Sequence, residues 1–191
     1  MALKFVGTKI IPSAIIFISL IASAIIIDFL FHLAGIVWVG RYLGIIGTII
    51  IVTSFVYSLR KRKIIKSGSP KRLLQNHELQ GWIGALFILV HGGIHFNAII
   101  PWLALFAMVI VVASGLTGKY LLKQAKERLK DKEAELKAQN KSVEEIEKEL
   151  LYSSLLVDTM QKWRKIHMPL TMIFVAFALI HIIITLLLWR W

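Results

Sequence analysis

The chain has 191 residues, of which 57% are hydrophobic, and its 23 Lys and Arg against 11 Asp and Glu give a formal charge of +12. So much apolar surface exceeds what a soluble core of this size can hide, and composition therefore points to an all-α membrane protein in contact with lipid. The absence of cysteine excludes covalently attached haem, thiolate-ligated iron–sulfur clusters and disulfides. The basic residues lie between and beside apolar runs, which argues for a membrane surface and against nucleic acid.

Five apolar runs can each supply the roughly 20 residues that a spanning helix needs: 9–31, 38–59, 79–97, 102–120 and 168–188. The first follows Lys4 and Lys9 and is too long for the apolar part of a signal peptide, so it reads as a retained helix. Between the second and third runs, Arg60, Lys61, Arg62, Lys63, Lys66, Lys71 and Arg72 face no acidic residue, whereas the connections at 32–41 and 97–101 carry Arg41 alone. The positive-inside rule assigns the basic loop 60–72 to the cytoplasm, with the amino terminus inside and the carboxyl terminus outside. Residues 1–120 are thus expected to hold four spans of a protein of the cell's inner (cytoplasmic) membrane, and 167–191 a fifth.

The intervening stretch, 121–166, is rich in Lys, Glu, Leu and Ala. Leu122, Leu129 and Leu136 fall on a heptad, and Val143, Ile146 and Leu150 on a helical stripe. Asn140-Lys141 interrupts the pattern, and Ser142 followed by Glu145 is a capping-box signature that starts a second arm. The expectation is an antiparallel helical hairpin on the cytoplasmic side.

Six histidines occur, and four form two pairs with equal spacing: His77 and His91, fourteen residues apart, and His167 and His181, also fourteen apart. On a helix that separation returns a side chain to the same face within about 40° and about 21 Å further along the axis. The third and fifth spans run in the same direction under the positive-inside assignment. His77 then meets His167, and His91 meets His181, at two depths of the bilayer, each meeting suited to the axial ligation of a haem iron. A histidine within a membrane needs such a reason. His95 shares the face of His91 and is an alternative outer ligand, but His77 to His95 would be about 27 Å, which does not match the other helix.

Gly81, Gly84, Gly92 and Gly93 on the third span remove side chains beside these histidines, either for a flat macrocycle or for helix packing. Arg72 and Lys71, with Arg164 and Lys165, lie near the inner ligands, and Arg41 and Tyr42 near the outer boundary. These cations can meet haem propionates or snorkel to lipid headgroups. On the first span Asp28 and His32 share a face at the depth of the outer pair and close to His95, a set of titratable groups fit to take protons from a quinol.

The segments His77-Glu78-Leu79-Gln80-Gly81 with His91, and Trp163-Arg164-Lys165-Ile166-His167 with His181, resemble the haem-binding pattern of the cytochrome b subunit of quinol:cytochrome c oxidoreductases. Use of the third and fifth spans resembles the membrane domain of ferric reductases and NADPH oxidases, and Ser114-Gly115-Leu116-Thr117-Gly118-Lys119-Tyr120 is similar to a span exit in small bacterial members of that group. The likeness covers residues 73–190 or so. It implies two non-covalent b haems on the four histidines. No flavin or nicotinamide domain follows the fifth span, so pyridine-nucleotide reduction is not expected of this chain alone.

The expected protein is a five-span di-haem bundle that carries electrons between a quinone pool, menaquinone or ubiquinone, and a partner redox subunit such as a multihaem cytochrome, an iron–sulfur protein or a flavoprotein. Two rivals stand beside it. One is the membrane domain of a ferric or oxygen reductase fed by a separate flavoprotein; the other is a haem-free transport or structural protein whose histidines hold helices together.

Overall fold

The computed structural model describes residues 11–93, 98–116 and 122–188, less the side chains of 11–13, 123, 124, 156, 160, 163 and 164. Among these residues the protein is all-helical. The elements are α1 (Ile11–Leu33), α2 (Trp38–Ser54), α3 (Val56–Lys61), α4 (Pro70–Gly92), α5 (Ile99–Leu116), α6 (Lys123–Ala138) and α7 (Val143–Leu188). Four stretches are long and apolar enough to cross a membrane: 14–33, 38–61, 99–116 and 165–188.

Helix boundaries follow local chemistry. Gly35 takes a φ of +69° in the turn after α1, where a left-handed backbone favours glycine. Pro70 opens α4 behind an extended Ser69, because a proline at the first helical position gives up an amide that has no intrahelical partner anyway. The expected second span is interrupted: α2 ends at Ser54 and α3 restarts at Val56.

The expected third span, 79–97, is displaced. Helix α4 begins at Pro70 and ends at Gly92, while residues 94–97 lie outside the described residues. Its first half carries Gln75, Asn76, His77, Glu78 and Gln80, and this polarity keeps α4 out of the set of four. The apolar half alone is shorter than a bilayer requires.

The chain divides into two compact units. One comprises residues 16–112 and 171–191. Its core joins Leu20 of α1, Ala85 of α4, Ala107 and Met108 of α5 and Phe174 of α7, with Trp82, Leu86, Leu105 and Val175 packed against them. Small residues bring α2 against α4: a Cβ on Gly47 would lie 3.0 Å from the Gly84 carbonyl oxygen, and one on Gly84 would lie 3.1 Å from that of Gly47. The outer faces stay apolar, with Phe29, Ile49, Val52 and Leu187 all exposed, as contact with lipid requires.

The other unit comprises residues 1–15 and 113–170, and contains the expected hairpin. Leu129 and Leu136 of α6 pack on Ile146 and Leu150 of α7. Asn140 adopts a φ of +55° in the turn, a conformation asparagine tolerates. The capping box forms: the Ser142 amide donates to Glu145 Oε2 at 3.0 Å, and the Glu145 amide donates to Ser142 Oγ at 3.3 Å. Lys141 pairs with Glu149 across the turn. Val143, expected on the same helical stripe, is the first residue of α7 and is exposed. The second arm does not stop before the last span. Helix α7 runs unbroken from Val143 to Leu188 through Pro169, which cannot donate to the Lys165 carbonyl.

Candidate functional site

The clearest convergence of histidines lies in the unit formed by 16–112 and 171–191. His91, in the last turn of α4, and His181 of α7 have ring centroids 6.3 Å apart with planes at 48°. Two imidazoles bound to opposite sides of one metal ion stand about 6 Å centre to centre, from a metal–nitrogen bond of about 2 Å and about 1 Å more to each ring centre.

His91 is gripped by α2. Its Nδ1 lies 3.1 Å from the Gly40 carbonyl oxygen, and a Cβ on Gly44 would fall 2.5–2.6 Å from three atoms of its ring. A carbonyl oxygen can only accept, so Nδ1 carries the hydrogen and the neutral imidazole has its lone pair on Nε2. His77 is held in the same way. Its Nδ1 donates to the Ser54 carbonyl at 3.1 Å, an acceptor at the end of α2 that the helix ladder does not use, and its ring stacks on Tyr57 at 5.4 Å. His181 Nδ1 lies 3.5 Å from Thr185 Oγ1, at the outer limit of a hydrogen bond.

His167 belongs to the other unit. There its Nδ1 lies 2.6 Å from Ser114 Oγ, and Ser114 is 1% exposed. Gly115 follows, where an added Cβ would meet His167 Cε1 at 3.7 Å. Each of the four spaced histidines therefore has a polar neighbour at Nδ1, in every case from an oxygen that sequence spacing did not single out.

The glycines of α4 are placed variously. Gly84 meets α2, and a Cβ on Gly92 would strike Leu105 Cδ1 of α5 at 2.5 Å. Gly93, with φ +49°, ends α4, and Gly81 has nothing within 4 Å of an added Cβ. The notch at His91 is made instead by Gly44, and its signal is present in the sequence as Gly40, Gly44 and Gly47, spaced to share one helix face.

Asp28 and His32 do come together on α1. The His32 Nδ1 lies 2.9 Å from the Asp28 carbonyl oxygen and 3.6 Å from its carboxylate Oδ2. Asp28 is 8% exposed, whereas the His32 side chain is about half exposed. Arg41, Arg72, Lys71 and Lys165 are exposed. His95 and the side chain of Arg164 lie outside the described residues.

Among the described residues no three His, Asp or Glu side chains gather as metal ligands. A close pair of imidazoles suits an ion whose remaining ligands arrive with it, as in a porphyrin. No family model, curated protein or solved structure matches the chain.

Proposed function

We propose that this is a transmembrane electron-transfer subunit, a b-type cytochrome with two non-covalent haems. The observation that carries the reading is the approach of the His91 and His181 rings to 6.3 Å between centroids, with the His91 hydrogen committed at Nδ1 and its lone pair therefore at Nε2. When bound, the haem supplies a one-electron ferric/ferrous couple. The protein's part would be to hold the two imidazole rings close together, fix their tautomer and wrap them in apolar helices. Gly40 and Gly44 do this for His91, and Thr185 lies beside His181.

The second pair, His77 and His167, enters on its equal fourteen-residue spacing. Each is supported within its own unit, His77 by Ser54 and Tyr57 and His167 by Ser114. With α4 as a fifth crossing, the basic loop 60–72 and the hairpin face the cytoplasm by the positive-inside rule, and α7 leaves the chain's end outside. Electrons then move between the two membrane faces, from or to a quinone pool at one end and a partner redox subunit at the other.

A quinol is oxidised at the outer end. Asp28 supports this: a buried carboxylate beside a half-exposed histidine offers a proton acceptor and an exit to solvent. Asp28→Asn slows haem reduction by quinol and leaves the haem spectra intact.

The deciding experiment is the absorption spectrum and haem content of the purified protein. Two low-spin, acid-extractable haems per chain are expected, with His181→Ala retaining one. A wild-type chain without haem rejects the proposal and leaves the histidines as helix-packing groups.

A further inference from the structure

Helix α2 carries no histidine, yet it touches both histidines of α4. The acceptor for His77 is the carbonyl of Ser54 and that for His91 is the carbonyl of Gly40. Ser54 and Gly40 are fourteen residues apart, as are His77 and His91, and the two helices run in opposite directions. Both bonds measure 3.1 Å.

A carbonyl inside a helix is normally screened. Side chains tilt toward the helix amino terminus, so the residue four positions on covers it. At Gly40 that residue is Gly44, whose missing Cβ both uncovers the carbonyl and leaves the volume that the His91 ring fills. At Ser54 the interruption before Val56 does the same work, since the carbonyl ends the α2 ladder.

We infer that α2 is the positioning helix for both α4 imidazoles, with Gly44 the residue that admits the outer one. Its two carbonyls hold the hydrogen of each ring on Nδ1 and so leave each Nε2 with the lone pair that would ligate a haem iron. This rests on the haem reading above. The acceptors are backbone atoms, so the side-chain identity that matters is the absence of one at position 44.

Gly44→Ala and Ile49→Ala, purified with their haem, separate this role from a general disturbance of α2. Ile49 lies on the exposed apolar face of the helix, whereas the atoms nearest an added Cβ at 44 are three of the His91 ring. Gly44→Ala is expected to displace the low-spin ferric resonance of one haem, or release that haem, with the other unchanged; Ile49→Ala keeps both signals. Unaltered signals in Gly44→Ala overturn the inference and leave the haem reading intact. The inference also falls if both variants change alike, if Gly44→Ala loses both haems, or if it fails to accumulate while Ile49→Ala does. A wild-type chain without haem removes both the inference and the reading beneath it.

Discussion

Gly47 stands seven residues from Gly40 and seven from Ser54, midway between the two carbonyls that hold the α4 histidines. Gly47→Ala puts a methyl carbon 3.0 Å from the Gly84 carbonyl oxygen, 2.9 Å from Ile88 Cγ1 and 3.0 Å from Phe87 Cβ. One of these is backbone and another a Cβ, so rotamer changes cannot clear them. Restoring contacts of about 3.5 Å requires α2 and α4 to part by about 0.5 Å. That lengthens each 3.1 Å histidine bond to about 3.6 Å, beyond hydrogen-bonding range. Overpacking of this kind costs about 1–3 kcal/mol. Thermal or SDS unfolding of the purified protein, followed by helical circular dichroism, measures the cost. Gly40→Ala is the reference because it introduces no clash. Gly47→Ala is expected to unfold earlier and to disturb both haem signals, unlike Gly44→Ala. Equal midpoints for Gly47→Ala and Gly40→Ala would falsify the close α2–α4 packing.

Ser142→Ala removes the acceptor for the Glu145 amide and should cost about 1 kcal/mol at the start of α7, read as earlier proteolysis of the turn at 139–141. Lys137 bonds to Glu133 and its charge sits beside it, holding the exposed Glu133 carboxyl below its ordinary value; Lys137→Ala should raise it, as seen by carbon NMR titration. Because the native value is the lowered one, the small stabilisation from this pair is present at neutral pH and fades as pH falls through the carboxylate range. The chain has no cysteine, so single cysteines at Ser67 and Asn140 give clean topology labels. Both should react from the same side of the membrane, and reaction from opposite sides contradicts the five-crossing arrangement.

Sequence alone determined what depends on composition and on helical period. Of the five apolar runs read from length and hydropathy, those at 9–31, 38–59, 102–120 and 168–188 correspond to the long apolar helices at 14–33, 38–61, 99–116 and 165–188, because a bilayer demands a continuous apolar stretch. The hairpin was legible for a similar reason: heptad leucines, the Asn140-Lys141 interruption and a Ser–x2–Glu box are local signals. Tertiary structure decided what depends on which helix lies beside which. The α4 glycines looked like cofactor neighbours, yet Gly84 seats α2 and Gly92 faces Leu105. The notch for His91 comes from Gly44, 47 residues earlier in the chain. The acceptors for His77 and His91 are backbone carbonyls, which every residue possesses. No pattern of side chains can mark them, and only the pairing of α2 with α4 selects Gly40 and Ser54.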